Sequence, residues 1–157
     1  MRRVPGVPVA LLATVMNAVA WLIPVARLPS DSLGLDRVPM AGWEAFATSL
    51  FPFDVVARIS ASDRVFGVLG LASALTNMMF IVALAILLRG GDRSPRTWRR
   101  MEAAVWVCFG LNGWWLATSV AHLLAGYYLW FGSFALLALA IRQRRGAERH
   151  AIPPRVT

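Results

Sequence analysis

The chain contains no lysine: all 16 of its basic residues are arginine, set against eight acidic residues, two histidines and one cysteine in 157 residues. These scarcities are restrictive. A lone thiol, Cys108, forms neither an intrachain disulfide nor a paired redox site, which excludes quinone-linked thiol oxidation within one chain. With only His122 and His150, two-histidine haem ligation inside one bundle is excluded as well. There is no H-E-x-x-H, no G-x-S-x-G, no glycine-rich phosphate loop and no carboxylate pair at fixed short spacing, so no enzyme chemistry is expected. No charge lies well inside any apolar run, which removes the buried carboxylate of a proton-coupled exporter or pump. The absence of lysine fits a GC-rich bacterial genome, without mechanistic content.

What is present is hydrocarbon. Hydrophobic residues make up 58% of the chain and charged residues 15%, and the mean hydropathy is +0.60, outside the range of ordinary soluble domains. The formal charge of +8 does not point to nucleic acid, because the arginines gather at the ends of apolar runs instead of forming a soluble basic face. Arginine at a membrane surface is attracted to anionic lipid by about 1 kcal/mol per residue. The lipid bilayer is therefore the expected partner, and no cofactor or metal is expected.

Four apolar runs, about 7–28, 65–88, 103–124 and 127–144, are read as membrane-crossing helices in a single domain of residues 1–157. Arg2 and Arg3 ahead of the first run, with Ala18-Val19-Ala20 inside it, have the form of a cleavable signal. Because the run continues through Trp21, Leu22, Ile23 and Val25, an uncleaved anchor is the preferred reading. Pro24 is expected to kink its far end. Ser60–Asp63 has the spacing of a capping box for the second run, and the last run is short, extended by Arg144 or Arg145 snorkelling to the surface. Tyr127, Tyr128 and Trp130 resemble an aromatic belt.

The N-terminus, the 89–102 loop and the region from 142 onward carry twelve arginines against three acids. The stretch from Arg27 to Arg64 carries four against five. The positive-inside rule then places both termini, the 89–102 loop and a mobile 145–157 tail in the cytoplasm, and the 29–64 loop outside. Within that loop Trp43, Phe46, Ala47, Leu50 and Phe51 recur at helical spacing until Pro52, which predicts a short interfacial helix or a cap folded onto the bundle. Its acids Asp31, Asp36, Glu44, Asp54 and Asp63 are too irregularly spaced to suggest more than solvated loop charge. The fold class is accordingly an all-α integral membrane four-helix bundle, expected in the cytoplasmic (inner) membrane of a bacterium.

Three constellations stand out. Asn17, Asn77 and Asn112 lie close to the midpoints of the first three runs, and an amide in hydrocarbon must find a partner in protein. Ala10, Ala13, Thr14 and Ala20 share the face of Asn17, and Gly70, Ser73 and Ala74 that of Asn77, so the first three helices are expected to meet along a small, polar seam. The third run carries a second stripe, Trp106, Gly110, Gly113, Ala117 and Ala121, suited to packing against another helix or another protein. His122 beside Trp114, Trp115, Tyr127 and Tyr128 is the one weak candidate for a haem or pigment ligand. The leading expectation is a non-enzymatic accessory or assembly subunit of a membrane complex, or a homo-oligomer. The alternatives are a small-solute transporter or channel along the asparagine seam, and a pigment or haem carrier.

Overall fold

The computed structural model of the protein describes residues 5–27, 39–50, 61–90 and 93–150. Most of these are helical: α1 (Val7–Leu22), α2 (Gly42–Leu50), α3 (Ala61–Arg89), α4 (Pro95–Ser119) and α5 (Ala125–His150). Strands β1 (Pro24–Arg27) and β2 (Pro39–Ala41) pair antiparallel between α1 and α2, and a 3₁₀ turn, Val120–His122, follows α4. Three helical stretches are long and apolar enough to cross a membrane, Gly67–Arg89, Pro95–His122 and Ala125–Ala147, and α1 is a shorter apolar helix.

The helix ends differ from the hydropathy boundaries, and local chemistry accounts for each difference. The first helix stops at Leu22 instead of continuing to 28. Pro24 disfavours a helical conformation in the residue before it, Ile23 is extended (φ −104°, ψ 161°), and the chain turns into β1 instead of kinking. At 1.5 Å per residue α1 is then about 24 Å long, short of the roughly 30 Å hydrocarbon core. α4, which carries the third apolar run, begins at Pro95, well before residue 103. Ser94 caps it, its side chain accepting from the Thr97 amide at 3.2 Å, and Pro95 occupies the first turn, where its missing N–H is no loss. Arg96, Arg99 and Arg100 are therefore helical and not part of a loop. Gly90, at φ +64°, ends α3 in the left-handed conformation that suits a helix stop. α5, which carries the fourth apolar run, extends to His150, so the expected mobile tail from 145 is helical as far as that residue. Ser60, the first residue of the expected capping box, and Phe51 lie outside the described residues.

α5 is the axis of the assembly. Its Phe134, Leu137, Ala138 and Ile141 are fully buried, in one cluster with Phe80, Ala83 and Leu87 of α3 and Trp98, Met101 and Val105 of α4. On another side, Gly126, Ser133 and Ala140 recur at seven-residue spacing, and α1 meets that half of α5 with Ala10, Ala13 and Ala20, all at most 1% exposed. Small residues on both helices let the backbones approach, as expected where dispersion and not the hydrophobic effect holds helices together. A Cβ on Gly126 would stand 2.6 Å from the Pro24 carbonyl oxygen. Neighbouring contacts fix the directions. Asn17 meets Ser133, Phe109 stacks on Phe131, and Glu102 pairs with Arg145, so α1 and α4 run antiparallel to α5. Asn77 meets Trp130 and Phe80 meets Phe134, so α3 runs parallel to it.

Candidate functional site

The three asparagines do not form one seam among the first three helices; each finds a different partner. Asn112 is fully buried and joins α4 to α3: its Oδ1 accepts from Ser73 Oγ at 2.8 Å, and its Nδ2 donates to Thr76 Oγ1 at 3.1 Å. Tyr127 of α5 adds a hydrogen bond from its hydroxyl to the Asn112 backbone carbonyl. Asn17 donates to Ser133 Oγ of α5 at 3.1 Å, and Asn77 accepts from the Trp130 indole N–H of α5 at 2.8 Å. Thr14, expected in the seam, turns its hydroxyl back to the Ala10 carbonyl of its own helix at 2.8 Å. The physical reason for this dispersal is α5: lying among the other helices, it separates α1 from α3 and α4 and offers its own donors and acceptors to all three.

Ser133, Thr76, Tyr127 and Trp130 are the residues of this network that sequence reasoning did not single out as its partners. Tyr127 is 5% exposed and works inside the bundle, whereas only Tyr128 of the supposed belt is substantially open, at 46%. The signal in the sequence is the 126, 133, 140 spacing of small residues, which marks a packing face on a run that hydropathy describes only as short.

Replacing Asn112 with leucine removes two interhelical bonds and strands the Ser73 hydroxyl, which can turn to a carbonyl of its own helix, as the Thr76 hydroxyl already does to the Ser73 carbonyl at 2.6 Å. At about 0.6 kcal/mol per membrane contact the expected loss is about 1 kcal/mol. That corresponds to a melting midpoint in detergent lower by about 3 °C. Asn17→Leu, which loses one bond in a half-exposed position, should lower it by less.

The stripe on α4 is also divided. Gly113 faces the Phe131 ring, whose atoms lie 3.7–3.8 Å from where a Cβ would stand. Gly110 has nothing within 4 Å of that position, and Ala117 and Ala121 are exposed. Trp106 is 38% exposed and packs edge-on against Phe109 of its own helix. The stripe therefore is not one contact surface within the chain; most of it looks outward.

α2 folds down onto the end of the bundle where α1 finishes and α5 starts. Glu44, read from sequence as solvated loop charge, instead closes the start of α2. Its Oε2 accepts from the Ala41 N–H at 2.8 Å, the reach-back bond of a capping box. The expected apolar face of Trp43, Phe46 and Leu50 splits. The Phe46 ring lies 5.0 Å from that of Trp21 and half-buried Leu50 is partly covered, but Trp43 is 54% exposed. The helix has a bundle to cover on one side only, so its two aromatics serve different surroundings.

Beneath α2 is a cavity of about 300 Å³, walled by the ends of α1, α4 and α5, by residues 70–77 of α3 and by the β1–β2 ribbon, with a mainly apolar lining. Trp21, Phe46, Trp115, Tyr127 and Trp130 supply aromatic surface, and Thr48, Ser49, Ser73 and Asn77 the polar side chains. His122 sits in the 3₁₀ turn near this end, half-buried, its Nδ1 without a hydrogen-bond partner among the described residues, and it does not line the cavity. No three histidine, cysteine or acidic side chains come together as a metal-holding group among the described residues. Comparison with protein-family models, with curated proteins and with solved structures finds no match to this chain.

Proposed function

We propose that the chain is a non-enzymatic, multi-pass protein of the bacterial inner membrane, its four longer helices crossing the bilayer with both termini in the cytoplasm. Its role in this reading is that of an accessory or assembly subunit, or of a homo-oligomer, joined to its neighbours through the open flank of α4. The observation that carries the reading is the uneven cover of the helices. In its most apolar stretch only 11% of α4 is buried inside the chain, against 39% for α3 and 44% for α5. That flank presents Val107, Gly110, Leu111 and Trp114, a glycine beside large side chains, which is the relief that lets a second helix approach closely. The asparagines support a structural role over a solute path, since Asn112 is enclosed and gives both ends of its amide to Ser73 and Thr76.

Gly110 suits the test, because a Cβ there has nothing within 4 Å. Purified in mild detergent, the native protein should run as a discrete assembly heavier than one 17.2 kDa chain, and Gly110→Phe should run as a lighter particle with an unchanged melting midpoint. A native particle that is strictly monomeric overturns the reading. So does an assembly that Gly110→Phe leaves intact.

A further inference from the structure

We infer that the cavity under α2 is a binding site for a small, largely apolar molecule of the lipid phase that carries a carbonyl, and that Asn77 holds that carbonyl. The site is separate from the α4 flank, and the inference does not rest on the assembly proposed above. Its volume, about 300 Å³, falls at the lower end of the range for ligand pockets. It suits a body of about fifteen non-hydrogen atoms. The apolar, aromatic lining excludes a charged or sugar-like occupant, which would surrender its hydration for almost no hydrogen bonds.

The polar groups narrow the class further. Asn77 is 7% exposed, lines the cavity, and has its carbonyl oxygen occupied by the Trp130 indole N–H at 2.8 Å. That bond fixes which way round the amide lies, so the amide N–H2 is the end left to donate, and it donates to no described residue. A donor with no acceptor among the described residues, on a residue more than nine-tenths buried in an apolar setting, is an unfavourable feature unless something supplies the acceptor. Asn112, held between α3 and α4, shows the contrast: both ends of its amide are satisfied within the chain. Ser73 has already given its proton to Asn112, and Thr48 and Ser49 give theirs to carbonyls of their own helix, so among the described residues the uncommitted donor that the cavity presents is the Asn77 amide. One donor facing apolar walls selects a molecule that offers it a carbonyl at the end of, or set into, an otherwise apolar body.

A flat ring ketone and a fatty-acyl ester share that chemistry, and they are told apart by the probe. The full chain in dodecyl maltoside micelles is titrated with 2-methyl-1,4-naphthoquinone in one arm and with methyl 10-bromodecanoate in the other. Both quench indole emission, and three of the seven tryptophans, Trp21, Trp115 and Trp130, line the cavity. The expected result is saturable quenching of part of the emission in at least one arm; which arm saturates says whether the body is a ring or a chain. Gly70→Leu and Ala74→Leu place side chains into the cavity from α3. At Gly70 the nearest neighbour of an added Cβ is Ser49 Oγ at 3.5 Å, an ordinary contact, so the helix keeps its place. Either filled variant that keeps the native melting midpoint should lose the saturable component. Asn77→Leu should weaken it by about tenfold, the effect of one buried hydrogen bond. Quenching that rises linearly with both probes, as from simple partition into micelles, overturns the inference. Saturation that survives in both filled variants does the same.

Discussion

Even alanine in place of Gly42 should lift α2 from the bundle, and leucine should do so more completely. A Cβ at this position would stand 2.2 Å from the Ala20 carbonyl oxygen and 2.8 Å from the Trp21 Cα. Both are backbone atoms at the end of α1, so no rotamer change relieves the overlap; the whole of α2 has to move. Overpacking costs about 1–3 kcal/mol where side chains can yield, and here they cannot. The displaced element is short, and its contact with the bundle rests on Phe46 against Trp21 and on Ser49 against α3, whereas the cluster around Phe134 and Leu137 is remote from it. The expected outcome is thus local opening and not global unfolding. A loss of about 3 kcal/mol shifts the local equilibrium by about a hundredfold. Ser49→Cys in a Cys108→Ser background reports it: labelling by a water-soluble maleimide should accelerate by about that factor when Gly42→Leu is added, while helix content stays native. An unchanged labelling rate would show that α2 is not seated by this contact.

The same glycine shows which parts of the molecule can be read from sequence and which cannot. Four apolar runs, a helix within the long connection and three amides needing protein partners are all visible in composition and period, because each depends only on a residue and its near neighbours. Helix ends are legible too, but in capping chemistry and not in hydropathy. Ser94-Pro95 starts α4, Pro24 ends α1, and Glu44 closes the start of α2, all from side chains acting within three residues. What is not legible is which helix the others surround. Asn17, Asn77 and Asn112 announce that they need partners without saying where, and the partners, Ser133, Trp130 and Thr76, are ordinary residues until two helices are placed side by side. Gly42 likewise looks like any loop glycine until α1 is set against it. The cavity is beyond sequence for the same reason, since it is a space between several elements and belongs to none of them.

Removing Arg145 should be far more damaging than removing its partner Glu102, although the two form one ion pair, N to O 2.6 Å apart. The pair joins α4 to α5 at the arginine-rich end, beside buried Trp98, Met101 and Ile141, and it lies in helix where hydropathy suggests loop and tail. Its two members are not equally placed. The Glu102 side chain is short and 11% exposed, whereas the longer Arg145 side chain is 19% exposed and can extend toward the surface. Arg145→Ala therefore leaves a carboxylate enclosed without a counter-charge, at a cost of about 3 kcal/mol, the low end for breaking a buried pair. Glu102→Gln leaves a guanidinium that relocates, at about 1 kcal/mol. Melting midpoints in detergent should fall by about 9 °C and about 3 °C respectively. The double variant Glu102→Leu/Arg145→Leu should recover most of the larger loss, because two apolar side chains of similar length fill the space with no charge to desolvate. Equal losses from the two single variants, or a double variant worse than Arg145→Ala alone, would mean that Glu102 reaches water and that the contact between α4 and α5 here is carried by Trp98 and its apolar neighbours instead.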